Sequence, residues 1–377
     1  MEKSYFDERR LDTESKIKQL LFELPEFAED FFIGIESTTT PLTRLGYARD
    51  LLIFFDYLYT NSRKFYGLDK DSFTISHLNK VEAFDIEKFI SYLTHYTYNG
   101  NEYTNSLTAK SRKLASIRSF FKYMYNKDLI DGNVASKVDM PKLHEKPIIR
   151  LEQQEVYDIL DIADTGTSLT PKQKVYHELN RLRDTAILSL FLGTGIRISE
   201  LVGIDIDDID FYTNSFKVTR KGGNQTILYF NDDVAIAMLE YFEKRQELKA
   251  VEKDEKAFFL SMQNKRIGVR SVELLVKKYA KIVSPLKNIT PHKLRSTFGT
   301  NLYRTTKDIY VVAELLGHKD VNVTKKHYAD ISEDIKKEAS KQAQIRETPS
   351  KFEDWIYMQF LNMIFDMLIW KNAIDFQ

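Results

Sequence analysis

Six polar side chains stand in a fixed order along the second half of the chain: Arg197, Lys221, His292, Arg295, His318 and Tyr328. Arg197 lies in Gly195-Ile-Arg-Ile-Ser-Glu200, His292 and Arg295 in His292-Lys-Leu-Arg295, and His318 directly after Gly317. These stretches and Tyr328 fall where an apolar helical run is expected to meet a turn. Together they form the inventory for cutting a phosphodiester without a metal or a nucleotide. Such a reaction needs an oxygen nucleophile, donors for the charge that grows on phosphorus, and an acid for the departing oxygen. Tyr328 would attack phosphorus and leave a 3′-phosphotyrosyl bond and a free 5′-hydroxyl. Arg197 and Arg295 suit the nonbridging oxygens, because a guanidinium stays charged and donates two parallel hydrogen bonds. His292 and His318 titrate near neutrality, so they can orient those oxygens or accept the tyrosine proton. Lys221, on a hairpin turn, could reach a groove and protonate the leaving oxygen.

Local spacing supports part of this arrangement. His292 and Arg295 are three residues apart and share a helical face, and Glu200 stands three after Arg197, placed to hold it as a supporting partner. The gaps between the motifs are long, and spacing alone does not bring them together. Gly193-Thr-Gly195 is not a dinucleotide loop, since a third glycine and a preceding strand are missing; capping the helix before it is the plainer reading.

The elements that must position these residues read as mostly helical. Ile17, Leu20, Leu21 and Leu24 predict a short amphipathic helix over about 8–26 that stops at Pro25. After Pro41, Tyr47, Leu51, Phe54 and Leu58 recur at helical spacing, with Arg44 and Arg49 off that stripe. Further helices are expected around Ile86–Ile90 and over 105–126. In the latter, Leu114, Ile117, Phe121 and Met124 face inward and Lys110, Arg112, Lys113 and Arg118 are left available. Pro141 and Pro147 in a polar context mark an extended linker. Helices are expected again over 152–163 and 172–193. Residues 204–231 alternate with β-branched and aromatic positions between Thr-Asn-Ser and Gly-Gly-Asn turns, which predicts a small antiparallel meander. Helices resume at 233, and Tyr310 is assigned to the core.

Composition bounds the class. A chain of 377 residues that is 43% hydrophobic and 29% charged is expected to form two globular domains rather than a disordered tract. The absence of cysteine excludes disulfides, zinc ribbons and thiol catalysis, and fits a cytoplasmic protein. No export signal opens the sequence, and Trp355–Trp370 is too short and too interrupted by Gln359, Asn362 and Asp366 to span a membrane. No cluster has metal-ligand spacing, and no cofactor is implied. Formal net charge is zero, yet 101–150 holds ten Lys and Arg against five Asp and Glu, and 261–300 holds nine against one. A basic face can coexist with a neutral total.

Gly193-Thr-Gly-Ile-Arg-Ile-Ser-Glu-Leu201, Thr290-Pro-His-Lys-Leu-Arg-Ser-Thr297, Leu315-Leu-Gly-His318 and Tyr328-Ala-Asp resemble the catalytic boxes of the tyrosine site-specific recombinases, the Xer-type recombinases and phage integrases. The likeness is strong over about 148–346 and weaker over 26–145. It implies a mainly helical α+β protein with a small antiparallel sheet. Its parts would be an N-terminal extension (1–25), a helical, SAM-like core DNA-binding domain (26–140), a linker (141–150), a catalytic domain (151–346) and a C-terminal apolar helix (347–377). It also implies a C-shaped clamp on double-stranded DNA, a homotetramer on a specific recombination site, and strand exchange through a Holliday junction. The setting would be chromosome dimer resolution or movement of a mobile element, with an accessory DNA-bending or activating protein as a further partner and no membrane. Arg197, Lys221, His292, Arg295, His318 and Tyr328 take the catalytic roles, and Glu200 supports Arg197. The family's lysine turn often reads Gly-Lys-Gly, whereas here it is Arg220-Lys-Gly-Gly-Asn224, so Lys217 and Arg220 stand as alternatives to Lys221. Arg44, Arg49, Lys110, Arg112, Lys113 and Arg118 are candidates for DNA contact, mostly to phosphates. The apolar segment 355–370 must bury most of its circumference, in its own domain or, the favoured reading, in a neighbour's groove. A tyrosine 3′-linking topoisomerase and a noncatalytic DNA-binding regulator of the same fold are the alternatives.

Overall fold

The structure, a computed structural model, describes residues 4–143, 148–220, 223–317 and 321. The chain divides into two compact units, Met1–Pro147 together with Thr219–Asn224, and Ile148–Val218 together with Gln225–Gln377.

The first unit is built from helices α1 (Tyr5–Leu21), α2 (Ala28–Gly34), α3 (Pro41–Asn61), α4 (Ile75–Leu78), α5 (Ala83–Tyr92) and α6 (Leu107–Asn126). Helix α3 starts where the Thr40 hydroxyl accepts from the Thr43 N–H and Pro41 fills the first helical position, a site with no N–H to satisfy. Ser106 caps α6 in the same way. Leu51, Phe54 and Leu58 of α3 and Leu114, Ile117, Phe121 and Met124 of α6 are fully buried, so the apolar stripes point where their periodicity predicts. Rings dominate this core. Phe120 meets Phe31 and Phe55 edge-on at centroid separations of 5.4 and 5.9 Å, geometry that adds to area burial. Between α5 and α6 a two-stranded hairpin, β1 (His95–Tyr98) and β2 (Asn101–Thr104), turns on Asn99-Gly100, both at positive φ. This hairpin has no counterpart among the elements expected from the sequence.

The second unit contains α7 (Gln153–Thr165), α8 (Pro171–Thr194), the short α9 (Ile198–Leu201), a three-stranded sheet, α10 (Asp232–Glu247), α11 (Val269–Val283), α12 (Pro291–Thr306) and α13 (Ile309–Leu316). From Ala186 to Phe191 every residue of α8 is buried, and the helix packs against α7, α10 and α12. The sheet follows the order β3 (Ile209–Asp210), β4 (Ser215–Thr219), β5 (Gln225–Tyr229), with Ile209 opposite Phe216 and Asp210 opposite Ser215 in antiparallel register. Phe216, Val218 and Leu228 are its buried apolar residues, and Lys217 lies on the opposite face. Tyr310 departs from expectation: it is 64% exposed, because α13 buries Val312, Ala313 and Leu316 and a residue two before Val312 faces away. Among the described residues, no helix is long and apolar enough to cross a membrane.

Candidate active site

Helix α8 ends at Gly195, whose left-handed backbone (φ 62°) turns the chain so that Arg197 becomes the N-cap of α9. A Cβ at Gly195 would lie 2.4 Å from the Phe298 ring and 3.0 Å from Leu316, so the turn needs glycine for space as well as for φ. The capping reading of Gly193-Thr-Gly195 therefore holds alongside its place in the arginine motif. Glu200, 3% exposed, accepts from both the backbone N–H and the Nη1 of Arg197, at 3.0 and 2.9 Å. That pairing fixes the guanidinium at one end. At the other, Arg197 Nη2 donates to the carbonyls of Leu316 and Gly317 at 3.3 and 3.2 Å.

Arg295 arrives from α12. It is 6% exposed, its Nη1 donates to the Gly195 carbonyl at 2.5 Å, and its Nη2 donates to the Leu316 carbonyl. Two guanidiniums thus converge on one backbone oxygen although they are separated by nearly a hundred residues of sequence. His292 stands in the first turn of α12, exposed, one helical turn ahead of Arg295. The α13 turn that the arginines grip ends at Gly317 (φ 60°), immediately before His318 in sequence. Lys221, His318 and Tyr328 lie outside the described residues, as do the segment 322–377 and with it the apolar stretch 355–370. Of the alternatives to Lys221, Lys217 projects from the outer face of β4 and pairs with Asp208 at 3.1 Å, and Arg220 opens the turn, its N–H donating to the Asn224 carbonyl at 2.8 Å.

The basic residues of the first unit divide into two groups. Arg49 is exposed; Lys110 is partly exposed and donates to Thr94 Oγ1 at 2.6 Å. Arg112 is half-exposed and held by a fork to Asp50 at 2.5 and 2.6 Å. Of the other three, Arg44 and Lys113 are buried and Arg118 is partly exposed with its guanidinium engaged by the backbone, contrary to their expected availability. Arg44 is 4% exposed and donates to Glu14 and to the Glu36 and Thr39 carbonyls. Lys113 is 6% exposed and 3.7 Å from Asp50, and burial pushes its ammonium below the ordinary lysine range against the opposing pull of Asp50. Arg118 donates to the carbonyls of Ala135 and Val138, closing the turn after α6. Long stems let these cations lie on a helix flank and still reach acceptors across it. Asp50 is the fully buried acceptor of Arg112 and Ser116. The carbonyls of Gly195, Leu316 and Gly317 were missed altogether; their sequence signal is a glycine at the end of an apolar run.

A helical unit followed by a mostly helical unit with a small sheet is the fold of solved DNA recombinases. One, a XerH site-specific recombinase bound to palindromic difH substrate in a post-cleavage complex, superposes with a TM-score of 0.60 at 17% identity, covering 81% of each chain. The model of the phage integrase family matches residues 150–334. A tyrosine recombinase XerC of Caldanaerobacter subterraneus subsp. tengcongensis is 34% identical over 321 residues, covering 82% of this chain and 85% of that one. Another, from Leptospira interrogans, is 26% identical over 325 residues, with 84% and 94% covered. The chain belongs to the phage integrase family, the tyrosine recombinases, which cleave and rejoin DNA through a tyrosine.

Proposed function

We propose that the protein is a site-specific recombinase that works on duplex DNA through Tyr328, with Arg197, His292, Arg295 and His318 around the scissile phosphate and Lys221 at the leaving oxygen. The observation that carries this reading is the convergence of Arg197 and Arg295 on the carboxyl end of α13, one residue before His318. Two fixed guanidiniums are donors placed for the charge of a pentacoordinate phosphorus, and donors set in advance stabilise that charge without reorganising. In the cleavage step the Tyr328 oxygen bonds to phosphorus and its proton passes to a histidine. The bond to the 5′-oxygen breaks, and that oxygen takes a proton from the lysine. The phosphotyrosine keeps the bond energy, so attack by a 5′-hydroxyl from the partner duplex rejoins strands without ATP.

Strand exchange between two sites requires several protomers, and we place a homotetramer and a Holliday junction in the pathway. Segment 355–370 passes to the neighbouring protomer. Arg49, Lys110 and Arg112 lie against phosphates, where they fix register rather than sequence. Chromosome dimer resolution and mobile-element movement both fit this chemistry, with or without an accessory DNA-bending protein.

A pool of duplexes of randomised sequence, each nicked so that the short cleaved strand diffuses away, tests the reading. The protein should become covalently attached to one family of sequences, and sequencing the captured strands defines the site. Tyr328→Phe should bind the same duplex and form no adduct. An adduct that survives Tyr328→Phe refutes the nucleophile, and relaxation of plasmids lacking the captured site would favour a topoisomerase.

A further inference from the structure

Buried arginines that donate to backbone carbonyls are ordinary structural groups, and this unit contains one. Arg245, 5% exposed, donates to the carbonyls of Ala257, Leu248 and Glu255 and closes a loop. The Arg197–Arg295 arrangement differs from it in three respects. Two cations share one acceptor, the Leu316 carbonyl, although like charges this close repel. The acceptors belong to the carboxyl ends of two helices that carry neither arginine, Gly195 capping α8 and Leu316–Gly317 ending α13, whereas the one α-helix end that Arg245 reaches is that of its own α10, at Leu248. Both helices end on a left-handed glycine, at φ 62° and 60°. Helix carboxyl ends carry unsatisfied carbonyls and roughly half a negative charge each. With the Glu200 carboxylate they offset the two guanidiniums before any phosphate is present.

We propose that the carboxyl ends of α8 and α13 form a cradle that sets the arginine pair for phosphate, and that Gly317 is a positioning residue for cleavage. The left-handed conformation at Gly317 lets the Leu316 and Gly317 carbonyls face the same guanidinium, and it starts the chain toward His318. Phosphate binding at the pair is thereby linked to the carboxyl end of α13, and linkage of this kind acts in both directions. This inference rests on the recombinase reading; an active wild type with an unaffected Gly317 variant sinks the cradle alone, whereas a wild type that forms no adduct sinks the reading.

The test uses the full chain and a nicked duplex recovered from the pool. Gly317→Ala forces an alanine into left-handed space and should slow adduct formation by about a hundredfold, the cost of a misplacement near 1 Å, with duplex affinity within about twofold. Gly317→Asn, which tolerates that conformation, should regain most of the rate. Gly67→Ala, at φ 82° with open space around its Cβ, imposes similar strain in the first unit and should leave the rate unchanged. An alanine variant at wild-type rate overturns the proposal, as does an asparagine variant no faster than the alanine one. A second measurement needs neither DNA nor the glycine variants: in Arg295→Ala the amides of Val312–Leu316 should exchange hydrogen faster than in wild type while those of α7 do not. Unchanged exchange in α13 overturns the cradle, even where Gly317→Ala fails to fold.

Discussion

Arg197 and Arg295 face the same phosphate in the proposed reaction but are anchored differently, and substitution should separate the two. Arg295 is almost wholly buried and holds two carbonyls, so removing it weakens fold and chemistry together. Arg197 is about one-third exposed on its side chain, and its chief anchor is the Glu200 carboxylate. A lysine at 197 keeps a cation for Glu200 but cannot supply the planar fork that reaches α13 and a phosphate at once. Arg197→Lys is therefore expected to melt within a few degrees of wild type while adduct formation on the nicked duplex drops about 10²–10³-fold, the usual consequence of losing one preorganised donor. A lysine variant that cleaves at the wild-type rate would show that charge alone is needed there. The motifs that contain these arginines were visible in the sequence. Their meeting point was not, because a backbone carbonyl has no letter of its own and Gly195 and Leu316 are 121 positions apart.

At the level of elements, helices whose apolar residues repeat every three or four positions were legible, and α3, α6, α8 and the β3–β5 meander lie close to where their patterns placed them. The hairpin β1–β2 was not: its strands are four residues long, β2 is exposed throughout, and no alternation marks them, so Asn99-Gly100 was the one cue. Periodicity also misassigned Arg44, Lys113 and Arg118, since it ranks faces by apolar content while these cations are ordered by partners elsewhere in the chain. Asp50 of α3 joins Arg112, Lys113 and Ser116 of α6, more than sixty residues away, and ties the two helices together by charge as well as by their phenylalanines. Asp50→Ala leaves Lys113 buried without its counter-charge and should cost about 3–5 kcal/mol in urea unfolding at pH 7. The pH dependence sharpens the test. Lys113 has a folded pKa below its ordinary value of 10.5, so the unfolded chain binds more protons and this group's contribution to stability rises as pH climbs toward that value. Without Asp50, which pulls the other way, the recovery between neutral and alkaline pH should be steeper than in wild type. Equal stability of the two proteins at pH 7 would mean that α3 and α6 are joined by apolar packing alone.

Across the whole molecule, zero net charge conceals a segregation: cations gather over 101–150 and 261–300, and within the first stretch part of that excess is neutralised internally at Asp50. A recombinase so balanced gains less from nonspecific attraction to DNA than a basic one, and several protomers contacting one site gain by acting together. We propose segment 355–370, outside the described residues, as the element that joins them, because at helical spacing Gln359, Asn362 and Asp366 would form a single narrow polar stripe. If it docks on the next protomer, each copy gives one contact and receives one, and a head-to-tail arrangement of this kind closes into a ring. Deleting 350–377 should then leave a protein that binds one copy of the captured site with near wild-type affinity but no longer forms the higher-order complex on paired sites, as read by gel mobility and sedimentation. Strand exchange should be lost in the same variant. Tetramers that persist after the deletion would place the segment on its own domain, and a simultaneous fall in single-site affinity would mean that it supports the fold rather than the assembly.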